Sequence, residues 1–239
     1  MTDNNNQTMQ FIFGDRELII KVADLLAAPV DVIVNPANGG LSHGGGVAGQ
    51  IVQQGGDVIQ DESDLFIKEH GTLDSGMVAF TSAGHLPYDA VIHAVGPKMG
   101  EGDELRKIQQ AVSRSLQLCD MHDWQSVAFP AISSGIFGVP IEISARAFFR
   151  AIISYWDARI DIAPEQIIIC LTENNFQPFF DAFQDESKVT NHMVVNDPVP
   201  ASSNSINQVS DAELPVGIVD LSEDDISELV DDKVNDWFK

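Results

Sequence analysis

Short apolar runs alternate with stretches of helical spacing over roughly the first 185 positions. "FIFG" (11–14) and "ELIIKVAD" (17–24) flank a turn at Gly14-Asp15 and read as two strands. "VDVIV" (30–34) is an almost unbroken apolar run, the pattern of a strand buried on both faces. Helical spacing follows from about Gly46 to Gly55 and again from Asp57 to Glu69. "GMVAFTSAG" (76–84) and "DAVIHAVG" (89–96) are strand-like. Leu105, Ile108, Val112, Leu116 and Leu118 give residues 103–121 a helical apolar stripe. "SVAFPAI" (126–132) predicts another strand, and Glu142 to Trp156 a helix with Ile143, Ala147, Phe148 and Ala151 on one face. "QIIICLT" (166–172) predicts the last strand and "NNFQPFFDAF" (174–183) a closing helix. Strands alternating with helices predict a three-layer α/β/α domain with a mixed, mainly parallel central sheet, spanning residues 1–189. No internal repeat is visible.

Near residue 188 the pattern stops. "VTNHMVVNDPVPASSNSINQVSDAELP" is polar, rich in Pro and Ser and aperiodic, and predicts a flexible linker over 190–217. The segment 218–239 regains periodicity: Ile226, Leu229, Val230, Val234, Trp237 and Phe238 share one helical face behind an N-cap at Ser222. This acidic amphipathic segment either docks back on the domain or binds a protein partner.

Charge narrows the ligand chemistry. The formal net charge is −23. Residues 1–189 carry 11 Lys and Arg against 25 Asp and Glu, a net of −14, and residues 190–239 carry 2 against 11, a net of −9. A field of that sign repels nucleic acid. Any phosphate-bearing ligand must therefore be held locally, by backbone N–H groups. No stretch approaches the ~18 apolar residues of a membrane span, and "MTDNNNQTMQ" lacks the features of a signal peptide. Cys119 and Cys170 lie in apolar surroundings and read as small buried hydrophobes. A cytoplasmic location is the expectation. His85 and His122 suggest no role, and no His/Cys spacing predicts a metal site.

Two loops carry the candidate chemistry. "NPANGGLSHGGGVAG" (35–49) holds six glycines between a strand and a helix. In open α/β sheets such a position, beyond a strand's carboxyl end, is where ligands bind. Gly44, Gly45 and Gly46 let the backbone approach a ligand, and the helix N-terminus behind them suits a diphosphate. The loop is neither a Walker A nor a GxGxxG motif. "PAISSGIFGVP" (130–140) repeats the arrangement after another strand. Ser133, Ser134 and Gly135 are candidate donors to a second phosphate. Phe137 is either an exposed aromatic against a sugar or a buried loop anchor.

With "VADLL", "VDVIVNPANGGLSHGGGVAGQI", "YDAVIHAVGP" and "VAFPAISSGIFGVP" in this order, the chain resembles a macrodomain, the ADP-ribose-binding fold, over about residues 10–185. The wording is closest to viral-type macrodomains and those attached to ADP-ribosyltransferases. The resemblance implies that Asp24 accepts from the adenine amino group, with the Leu25 backbone nearby; Asp24 also reads as a helix N-cap. It implies that Asn38 holds the distal ribose hydroxyls and orients water, that Gly44 to Val47 wrap ribose and phosphate, and that Ser133, Ser134, Gly135, Ile136 and Phe137 close over the diphosphate. Asn35 is expected to bond the loop to itself, and His93 to be a satisfied core histidine. His43 either reaches the site or faces solvent.

Two departures stand out. Ala48 occupies the place of an aspartate in the hydrolytic MacroD-like branch, and Thr172 falls where close viral relatives carry an adenine-stacking aromatic, with Phe176 as a substitute. The implied activity is hydrolysis of mono-ADP-ribose esters on acidic side chains, without cofactor. The alternatives are a non-catalytic reader of ADP-ribose or ADP-ribosylated proteins and a deacetylase of O-acetyl-ADP-ribose.

Overall fold

The computed structural model describes residues 7–158 and 164–189. The linker and amphipathic segment expected over 190–239 lie outside the described residues. Seven strands, β1 (Thr8–Phe13), β2 (Arg16–Val22), β3 (Val32–Ala37), β4 (Val78–Thr81), β5 (Ala90–Val95), β6 (Ser126–Pro130) and β7 (Gln166–Leu171), form one sheet in the order β1-β2-β7-β6-β3-β5-β4. The five central strands run parallel; β1 and β4 are antiparallel edges. Five helices connect and flank them: α1 (Gly46–Gly55), α2 (Val58–His70), α3 (Glu104–Met121), α4 (Ile141–Asp157) and α5 (Glu173–Val189). Among the described residues no helix is long and apolar enough to cross a membrane.

The unbroken apolar runs are explained by what each face meets. Val32 and Val34 of β3, Val127 and Phe129 of β6, and Ile167 and Ile169 of β7 join the core packed against α3, α4 and α5. Ile33, Ala128 and Ile168, one residue out of phase, join the core packed against α1 and α2. Successive side chains point to opposite faces, so a strand covered on both sides must be apolar at every position. The helical stripes point the same way: Ile108, Val112, Leu116 and Leu118 of α3 and Ala147, Phe148 and Ala151 of α4 are buried, and Leu105 and Ile143 are partly buried against them.

Parallel order puts the carboxyl ends of β2, β7, β6, β3 and β5 on one rim in that sequence. Four inter-strand steps of about 4.8 Å make the rim roughly 19 Å long. Along it stand Asp24 after β2, Thr172 after β7, the 131–140 loop after β6, the 38–45 loop after β3, and Gly96 to Glu101 after β5. Because β4 is antiparallel to β5, the 72–77 segment that enters β4 reaches the same end of the rim.

Candidate functional site

At the β2 end, the exposed Asp24 caps the single 3-10 turn Leu25–Ala27, its Oδ1 accepting from the Leu26 N–H at 3.0 Å. The capping role and an open second carboxylate oxygen coexist, while the Leu25 side chain is buried. Thr172 is exposed beside it. Phe176 does not substitute as a surface aromatic: it is 5% exposed and lies in the core beneath α4 and α5, stacked on Phe180. Its place in the first turn of α5 turns it inward.

At the centre of the rim the two glycine-bearing loops meet. The backbone of Gly46 is left-handed, with φ of 60°, and a Cβ there would contact Ile136 Cδ1. Gly45 is the N-cap of α1 and has no side chain to cap it, so the first-turn amides of Gly46, Val47 and Ala48 have no side-chain acceptor. Open space surrounds the Cβ positions of Gly44, Gly45 and Gly135. Val47 is partly buried against the α1/α2 core, so its contribution to the rim is its N–H.

The donors of the second loop differ from expectation. Both the Ser134 hydroxyl and the Ser134 N–H point to the Ala131 carbonyl, at 2.8 Å and 3.3 Å. Ser133 is 5% exposed, left-handed at φ 65°, and packed against Gly96, whose missing Cβ leaves room for its hydroxyl. The Ser134 hydroxyl therefore shapes the turn from inside, whereas the buried Ser133 hydroxyl meets no acceptor among the described residues. Among the described residues no acceptor meets the amides of Ser133, Gly135, Ile136 and Phe137, and the last three, on exposed or half-buried residues, are the loop's accessible free donors. Ile136 is 87% exposed and stands over the rim. Phe137 is half-buried, between the two readings of it, with the Lys98 ammonium 5.7 Å from its ring centre.

Beyond Phe137 the rim opens into a cavity of about 520 Å³ walled by Asn38, Gly39, Leu73, Val95 and Gly96. Asn38 organises its own loop: its Oδ1 accepts from Gly40 and Ser42 N–H at 3.0 and 3.3 Å, and its Nδ2 donates to Ser42 O at 2.7 Å. One amide hydrogen is left for a ligand. Gly39 is obligatory for packing, since a Cβ would collide with the Leu73 carbonyl, and Leu73 N–H donates to Gly39 O at 2.8 Å. Ser75, Lys98 and Glu101 complete the wall. Sequence reasoning missed these three. Lys98 and Glu101 follow β5 at its rim end, a usable signal; Ser75 gives none until the direction of β4 is known.

Asn35 and His43 belong behind the rim. Asn35 is fully buried, and its Nδ2 donates to Nδ1 of His43 at 3.1 Å and to Nδ1 of His93 at 3.0 Å. Both rings then carry their proton on Nε2, which donates to Ser63 Oγ in one case and Thr81 Oγ1 in the other, each at 2.9 Å. Those hydroxyls pass their protons to Ile59 O and Ser82 O. His43 is 6% exposed and neither faces solvent nor enters the cleft; its ring, stacked on His93 at 4.7 Å, anchors the loop from below. His93 is satisfied in the core as expected.

Burial lowers the pKa of His43, partly opposed by Asp64, and lowers that of His93 further, aided by His43. Unfolded histidines titrate near 6.5, so below that pH the unfolded chain binds protons that the folded one refuses. Stability is full above about pH 6.5 and falls as pH drops toward the folded values, by up to about 1.4 kcal/mol per pH unit for each ring. Burial also lowers His122, so urea unfolding of a His122→Gln variant isolates the pair. Unchanged midpoints between about pH 7 and 5 contradict a neutral pair.

The fold and this rim define an α/β domain presenting unpaired backbone donors along the carboxyl ends of a parallel sheet, a geometry suited to anions. The chain belongs to the Macro domain family, whose model matches residues 34–148. A Macro domain-containing protein of Listeria monocytogenes is 36% identical over 164 residues, which cover 67% of this chain and 93% of that protein. A protein of Pyrobaculum aerophilum is 40% identical over 176 residues, covering 74% of this chain and 96% of its own. The Oceanobacillus iheyensis macrodomain, solved with ADP, superposes with a TM-score of 0.69 at 27% identity, covering 78% of this chain and 97% of the other. A mutant of it solved with ADPR gives 0.69 at 26% identity, covering 78% and 100%.

Proposed function

We propose that the rim binds ADP-ribose and that the chain releases mono-ADP-ribose from acidic side chains of proteins, in the cytoplasm and with no cofactor. The observation that carries the binding is the pair of facing loops whose free donors are backbone amides, Gly46 to Ala48 at the α1 N-terminus and Gly135 to Phe137 opposite. They concentrate positive potential in a domain of net charge −14. The order of groups along the rim then sets the ligand's direction: adenine at Asp24, diphosphate between the loops, distal ribose between Asn38 and Phe137. Its roughly 19 Å length matches a nucleotide carrying a second sugar. The related macrodomain solved with ADPR supports the choice of ligand.

For cleavage, the distal ribose carbon faces the cavity, and Asn38 with the ligand's own phosphate orients water toward it. This uses orientation and local electrostatics in place of a protein base. A second reading, a reader without turnover, is favoured by Ala48: it is 9% exposed in the first turn of α1 and offers no carboxylate. Incubation with a mono-ADP-ribosylated glutamate substrate decides between them. The expected result is loss of label, slowed about 100-fold in Asn38→Ala. Micromolar ADP-ribose binding in calorimetry without any loss over hours selects the reader.

A further inference from the structure

We infer that the cavity beyond Phe137 is a subsite for the side chain to which ADP-ribose is attached, and that Lys98 selects an acyl-linked (glutamate-like) acceptor over a guanidinium-linked one. This rests on the ADP-ribose reading of the rim and adds what lies past the distal ribose. A pocket of about 520 Å³ is larger than one sugar needs, within the range that encloses drug-sized ligands. It continues from Asn38 and Phe137, which flank the ribose, to Ser75, Lys98 and Glu101. A substituent on the distal ribose carbon must pass through it.

The charges there are not equivalent. Glu101 is fully engaged: Lys107 Nζ reaches one oxygen at 2.9 Å, Lys98 N–H reaches the other at 3.0 Å, and the Ser75 hydroxyl adds a further bond. These partners, Lys107 first, hold its carboxyl down to about 2. Its charge is spent on Lys107 and on fixing the 98–101 turn. The same turn is tied to the second ligand loop by Met99 N–H donating to Phe137 O at 2.9 Å. Lys98 is left as the exposed cation at the mouth. Among the described residues its ammonium pairs with no carboxylate, and it rests over the Phe137 ring. An ammonium offers three donors and no acceptor. It can bond the carbonyl of an acyl linkage, or the carboxylate freed from it, and it repels a guanidinium.

The test titrates purified protein with three stable ligands: ADP-ribose, a peptide joined to the distal ribose through glutamine, and the same peptide joined through arginine. The wild-type protein is expected to prefer the glutamine-linked peptide about tenfold. Lys98→Met, which keeps the stem over Phe137, should abolish that preference while leaving ADP-ribose affinity within about twofold; Lys98→Arg should retain it. No preference in the wild type, or a preference surviving Lys98→Met, overturns the subsite. An equal loss of all three ligands in Lys98→Met also overturns it, assigning Lys98 to the ribose. Failure of the wild type to bind ADP-ribose sinks the reading of the whole rim, a result distinct from the others.

Discussion

Replacing Asn35 by leucine is expected to lower the free energy of unfolding by about 2–5 kcal/mol. Asn35 sits at the rim end of β3 with no exposed surface, and among the described residues its two amide hydrogens are the only donors to Nδ1 of His43 and of His93. Leucine fills similar volume but leaves two buried ring nitrogens without partners, at about 1–3 kcal/mol each. Removing Asn35 Oδ1, which has no partner among the described residues, recovers part of the loss. Because His43 holds the glycine loop from beneath, the same change should weaken ADP-ribose binding as well. Urea unfolding followed by fluorescence of the tryptophans measures the first effect and calorimetry the second. A loss under about 0.5 kcal/mol contradicts the hydrogen-bond assignment.

Gly135→Glu is expected to reduce ADP-ribose affinity at least 100-fold without a loss of stability. A Cβ at Gly135 meets nothing within 4 Å, so the fold tolerates a side chain there. The new carboxylate, however, stands where the amides of Gly135, Ile136 and Phe137 face the α1 N-terminus. Two like charges about 4 Å apart repel by about 4 kcal/mol at an effective dielectric constant of 20, roughly a thousandfold in affinity, and salt screens part of it. Gly135→Gln separates charge from bulk: it should cost less than Gly135→Glu. Equal losses in the two variants would assign the effect to steric blocking, and unchanged binding in both would place the diphosphate elsewhere.

The sheet was legible because its physics is periodic. The runs Val32–Val34 of β3 and Ile167–Leu171 of β7 are apolar at successive positions because helices cover both faces of the sheet, and the chain shows that pattern directly. The helices α3 and α4 needed only their 3.6-residue stripes. The loops were legible because glycine runs at strand ends have few uses. The sequence also favours backbone donors for phosphate, since the chain's net charge of −23 makes a broad basic patch a poor account of the site.

What the chain by itself determined, then, is the alternation of elements, the two rim loops and the kind of group they offer. Only the tertiary structure decided which groups are free. Ser133 and Ser134 both read as donors, but the Ser134 hydroxyl folds back onto Ala131 O while the Ser133 hydroxyl is buried with no acceptor among the described residues, and a sequence does not show which way a hydroxyl points. His43 could have faced the cleft or the solvent; its burial against His93 depends on β3 lying beside β5, a pairing between residues 58 positions apart. Phe176 became core because α5 turns it under the sheet. Lys98, Glu101 and Ser75 meet only because β4 runs antiparallel to β5 at the end of the sheet. Local chemistry is written in short stretches of chain, whereas these contacts arise from strand order, which no short stretch encodes.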